Sequence, residues 1–195
     1  MTTSRSAFTI VELAVTAALL SISLWILGGI FTSANGAVRT GTDRMEIETN
    51  GSRTMRRIVD ALRAADVGSI AALPSPPFSA DTIDFQVVGI YRDQDVIVSG
   101  PRRIDIDPDL RSVRWSENPG LGSTLTTYWS SGVTDLLEGE LLNGLDDNGN
   151  GLIDEAGLCF TREDALVTVR LTLQEDQGDG TPMTRTWTTR VSCRN

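Results

Sequence analysis

The 195-residue chain has no histidine and, although seventeen residues are basic, no lysine. Without histidine it lacks the commonest general base and the commonest metal ligand. Only two cysteines are present, Cys159 and Cys193. They are too few for a zinc or iron–sulfur site, and no imidazole is at hand to activate either as a nucleophile. Positive charge is also in deficit, with a formal net charge of −9 and a pI of about 4.5. That balance argues against nucleic acid as a partner of the folded part. An enzyme is not expected.

What the chain has in excess is one apolar run. Phe8–Phe31, FTIVELAVTAALLSISLWILGGIF, contains a single charged residue, Glu12. As a helix it would be roughly 36 Å long. The hydrocarbon core of a bilayer is about 30 Å thick, so the run can span it with some tilt. A carboxylate in such a helix costs roughly 2.5–3.5 kcal/mol on insertion scales, so Glu12 calls for a partner. Only MTTSRSA precedes the run. A secretory signal would be cut after it, where Gly28-Gly29-Ile30 and Ser33-Ala34-Asn35 give a loose small-residue match. Charge leaves the orientation open, because Arg5 lies before the helix and Arg39 and Arg44 after it.

From Ala37 to about Asp66 the pattern stays helical. Met45, Met55, Ile58, Val59 and Leu62 mostly share one face, and Arg53–Ala65 is the clearest amphipathic stretch, a helix expected to cover a sheet. Gly36 and Asn50-Gly51 are expected weak points. The prolines of 71–80 end the helical region. Short β-type runs follow at 81–90, 95–99, 102–107, 112–116, 123–130, 166–173 and 185–192, with turns at 92–94 and 107–109. One long helix followed by antiparallel strands makes an α+β fold. The carboxylate pairs Asp105/Asp107 and Glu138/Glu140 read as solvated faces.

The loop 143–157, NGLDDNGNGLIDEAG, is the one candidate metal site. Asp146, Asn148 and Asn150 alternate, Gly151 follows, Leu152 offers a carbonyl and Asp154 takes the ninth position. Alternating oxygens before a turn glycine suit a hard cation, so Ca²⁺ is the expected ligand. Where an EF-hand has its bidentate Glu, this chain has Gly157, leaving Glu155 or Asp147 to substitute. The same residues also favour a solvated Asx/Gly turn.

The N-terminal arrangement resembles the leader of type IV pilins and of type II secretion pseudopilins. The resemblance rests on a short polar leader abutting Phe8-Thr9-Ile10-Val11-Glu12-Leu13 and an unbroken apolar helix. Ala7 stands where the family usually has Gly; the small residue is kept. The segment MRRIVDALRAAD and the ending TRTWTTRVSCRN are similar to J-type minor pseudopilins. The resemblance implies a layout of leader (1–7), transmembrane helix (8–31), continuing spine helix (32–66) and extracytoplasmic β domain (67–195). It further implies cleavage by prepilin peptidase between Ala7 and Phe8, methylation of the new Phe8 amine, and pairing of Glu12 with that amine or a neighbouring subunit's. The chain would sit in the bacterial inner membrane with its bulk in the periplasm. Its partners would be other minor pseudopilins and the major pseudopilin. In that compartment Cys159 and Cys193 can form a disulfide or remain as buried thiols. A minor pilin of a type IV pilus is the nearest rival; a tethered enzyme or a calcium-dependent binding module is the rival of another class.

Overall fold

The structure, a computed structural model, describes residues 9–92, 95–177 and 180–194, with 88–92 and 95–98 described by their backbone. The leader, the Ala7–Phe8 junction and the turn residues 93–94 lie outside the described residues. The chain forms two compact units, Met1–Thr42 and Asp43–Asn195. A single helix, α1 (Ile10–Arg63), contributes to both.

From Leu13 to Phe31 of the first unit α1 is apolar on every side. Ile10, Leu13, Leu20, Trp25 and Phe31 are all exposed. The few hydroxyls in this stretch turn back onto the helix. Thr16 donates to the carbonyls of Glu12 and Leu13, Ser21 to Ala17, Ser23 to Leu19 and Thr32 to Gly29. Between Ile10 and Thr32 every side-chain hydroxyl thus has a carbonyl partner, as a spanning helix requires. By length and composition this helix can cross a membrane.

In the second unit the remainder of α1 buries one stripe. Ile47, Gly51, Thr54, Met55, Ile58 and Leu62 recur at helical spacing and are all buried. Against them lies an antiparallel sheet of β7 (Leu158–Glu163), β8 (Leu166–Asp176) and β9 (Pro182–Ser192), in the order β7-β8-β9. Alternate residues of β8, Val167, Val169, Leu171 and Leu173, join Leu158 and Phe160 of β7 and Val191 of β9 in the same core as the helix. Each of these large side chains contributes about 1.5–3 kcal/mol on full burial. Two further antiparallel sheets complete the unit. One runs β1 (Ile83–Phe85), β4 (Arg102–Asp107), β5 (Ser112–Glu117), β6 (Leu125–Tyr128), and the other pairs β2 (Val88–Arg92) with β3 (Asp95–Val98). Ile83, Phe85, Ile104 and Val113 extend the core. The C-terminus closes on the helix end, with Val67 N–H donating to Arg194 O at 2.9 Å and Arg194 N–H to Ala65 O at 3.0 Å.

The α+β class is as expected, and four details differ from expectation. The helix is uninterrupted through Gly36, Asn50 and Gly51. Gly51 is not a break but a contact, since a Cβ there would overlap the ring of Trp187. The run 81–90 is two strands in separate sheets, β1 and β2. Strand β7 was not expected at all. Its residues Leu158–Thr161 are buried without alternation, because the helix-side core covers Leu158 and Phe160 while Leu137 and Leu152 cover Cys159 on the other face. Nor are Asp105 and Asp107 solvated. Both are nearly buried, and Arg114 forks onto Asp105 at 2.9 and 2.7 Å and reaches Asp107 at 3.3 Å.

Candidate functional site

Two places carry the residues singled out in the sequence. The first is the start of α1. Thr9 and Glu12 form a capping box: the Glu12 carboxylate accepts the Thr9 N–H at 2.9 Å and its hydroxyl at 3.0 Å, while Thr9 Oγ1 accepts the Glu12 N–H at 3.3 Å. The arrangement satisfies backbone donors that every helix start leaves open. Glu12 thus has a partner within its own chain, which the Thr-x-x-Glu spacing signals and the membrane-cost argument passes over. Ala7 and Phe8 lie outside the described residues.

The second place is the acidic loop. A bridge between Leu136 and Ala156, with Leu137 N–H donating to Glu155 O at 2.9 Å, ties the segment before the loop to the segment after it. Between these staples the chain makes consecutive Asx turns. Leu145 N–H bonds Asn143 Oδ1 at 2.8 Å, Asn150 N–H bonds Asn148 Oδ1 at 3.0 Å, and Leu152 N–H bonds Asn150 Oδ1 at 2.9 Å. Gly149 and Gly151 take positive φ, which a side chain would disfavour. Asp146 sits at the loop's centre, one oxygen accepting from Gly149 and Asn150 N–H at 2.7 and 3.1 Å and the other from Gly151 N–H at 2.9 Å.

The expected ligands divide. Asp146 and Asn148 both accept the Asn150 N–H, at 3.1 and 3.0 Å, and Asn150 Nδ2 donates to Glu155 at 2.6 Å. Asp154 is turned to the loop's mouth, where its carboxylate takes the N–H groups of Asn143 and Gly144 at 2.9 Å. Leu152 is anchored by its buried side chain beside Leu137 and Cys159. Asp147 accepts from Asn143 Nδ2 at 2.7 Å. Glu140, outside the motif and expected on a solvated face, is instead buried. The turn from Leu137 to Glu140, with Gly139 at φ 86°, brings its carboxylate onto the loop, where Oε1 accepts Asn148 N–H at 3.0 Å. Glu140 is 6% exposed and Glu155 0%. Burial pushes the Glu140 carboxyl above the usual carboxylate range, and the Glu155 and Asp146 charges add to the shift while the Asn148 N–H opposes it. Glu138, by contrast, accepts from Thr186 Oγ1 at 2.9 Å. Among the described residues no three His, Cys, Asp or Glu side chains form a metal-ligating group, so a cation here depends on amide and main-chain oxygens as well.

The two cysteines do not form the expected disulfide; both are free and buried. Cys159 faces Leu137 and Leu152, whereas Cys193 belongs to the helix-side core. Strand β8 lies between β7 and β9, with Cys159 opposite Arg170 and Cys193 beyond the Leu166–Ser192 pair. Side chains so placed cannot reach bonding distance.

No protein-family model, curated protein or solved structure matches the chain. The fold itself is pilin-like in general form, a long apolar N-terminal helix whose C-terminal part packs on antiparallel sheets.

Proposed function

We propose that the chain is a membrane-anchored structural subunit of a pilin-like filament, a minor pseudopilin of a type II secretion system of the J type. One observation carries the reading. A single helical segment is apolar on all sides over its first part and one-sided over its last, so its first part suits a lipid or subunit environment and its last part the folding of a β domain. An all-round apolar helix is stable only where something apolar surrounds it. The bilayer does so before assembly and neighbouring spine helices do so after it. The leader-like residues before Ile10 supply the processing, with prepilin peptidase cutting between Ala7 and Phe8. Assembly with the other minor pseudopilins and the major pseudopilin is then the function, with no catalytic step.

Photo-crosslinking from Leu20 in intact cells tests this. Adducts with other pilin-like subunits are expected; adducts with lipid alone would contradict it. The same geometry serves a minor pilin of a type IV pilus. Deleting the gene separates the two, since loss of secretion with intact pili assigns the pseudopilin role and loss of pili the other.

A further inference from the structure

The carboxylates of Glu140 and Glu155 each present one oxygen, Oε2, that is buried and without a hydrogen-bond partner. Both touch the Asp146–Asn150 turn through their other oxygen, Glu140 at Asn148 N–H and Glu155 at Asn150 Nδ2. Both carboxyls thus sit against one turn of the loop. Among the described residues no arginine forms an ion pair with Glu140, Glu155 or Asp146. A buried carboxylate oxygen left unsatisfied is costly, and two side by side are more so. Such a pair is stabilised by a cation or by a shared proton.

We propose that Glu140 and Glu155 complete a Ca²⁺ site on the Asp146–Asn150 loop, with Glu140 supplying from outside the motif the carboxylate that Gly157 cannot. Gly157 is barred from a side chain of its own, because a Cβ there would run into the Thr134 carbonyl. The donor inventory supports the assignment. A carboxylate has about four lone-pair sites and an amide oxygen two. Asp146 uses three on N–H groups, and Asn148 and Asn150 one each. Asn148 and Asn150 therefore each keep one oxygen site, which with the two free Oε2 atoms makes a donor set of two carboxylates and two amides, while Asp146, like Asp154, is committed to N–H groups and orders the turn. Many mixed oxygen donors on a loop suit Ca²⁺, which takes six to eight ligands flexibly, better than Mg²⁺, which demands a tight octahedron. Asp154, committed to the Asn143 and Gly144 N–H groups, holds the loop closed and is not a ligand.

Calorimetric titration of chelator-treated full-length protein in detergent with CaCl₂ tests the proposal. The wild type should bind one equivalent. Glu140→Gln and Glu155→Gln should weaken binding about tenfold or more, as loss of a ligand charge does. Glu163→Gln, at the exposed far end of β7, should bind as the wild type does. In chelator Glu140→Gln should melt no lower than the wild type, because it removes one of two adjoining buried charges; the same variant should lose the rise in melting temperature that calcium gives the wild type. If the wild type takes up no calcium and its melting temperature climbs only on acidification, the pair shares a proton and the site is not a calcium site. If the wild type binds and Glu140→Gln binds equally well, the loop holds the ion without Glu140 and the completed ligand set is wrong.

Discussion

The indole of Trp187 on β9 lies directly over Gly51 of α1, leaving no room for a Cβ on the helix. The contact fixes how closely the helix approaches the sheet at that point. Outside such a contact, Gly in a helix interior costs about 1 kcal/mol against Ala, so its retention here is explained by packing.

Gly51→Ala should therefore destabilise the second unit. The helix-propensity gain of about 1 kcal/mol is outweighed by overpacking, which costs about 1–3 kcal/mol. Chemical denaturation should show a lower midpoint for the single variant and partial recovery when Trp187→Leu is added, the coupling expected of residues in contact.

Arg114, Asp105, Asp107 and Tyr128 form one network on the outer face of β4, β5 and β6. Leu110 N–H, Tyr128 OH and Arg114 hold the Asp107 carboxyl below its usual range, with the Leu110 bond foremost. A carboxylate whose folded value is lowered adds stability that is complete above its unfolded value, near 3.9, and is lost as pH falls through the folded one. Asp107→Asn should lower the melting temperature at pH 7, and the gap from the wild type should close as the pH drops below about 4. Melts across pH check this; a gap independent of pH contradicts it.

The buried thiols should be silent in the native protein. Burial pushes Cys159 up to about 11, against the pull of Arg170 and Ser79, and raises Cys193 as well. A thiol at such a value is almost wholly protonated at pH 7 and unreactive. Maleimide should label neither cysteine when native and both after denaturation without reductant. Labelling of neither under both conditions would mean they are bridged.

How far the sequence led is clearest where it misled. The apolar run and the stripe at Met55, Ile58 and Leu62 are local patterns that the structure shows, but Met45, expected on the same face, is 74% exposed and Ile47 is buried instead. Gly51 reads locally as a weak point because the contact that requires it, Trp187, lies far along the chain. Strand β7 went unseen because Leu158–Thr161 is covered on both faces and so shows no alternation. Glu140 reads as solvated because nothing in its own neighbourhood places it against Asn148; the bridge from Leu136 to Ala156 does that. Local periodicity is legible from residues alone, and contacts made by folding are not.

Glu12→Ala should leave insertion of the helix intact or improved. Removing the charge relieves roughly 2.5–3.5 kcal/mol of insertion cost, more than the roughly 1 kcal/mol of a lost cap. Under the proposed function assembly should fall instead. Crosslinking yield to partner subunits reads the second effect and membrane fractionation the first; normal crosslinking in the variant removes the role given to Glu12.

The mass of the protein extracted from native membranes tests the central claim most directly. A filament subunit of this kind should begin at Phe8, carry a methyl group on that amine, and retain the whole apolar helix through Phe31. An intact Met1, or a chain cut beyond Gly29 so that the helix is lost, would contradict the account.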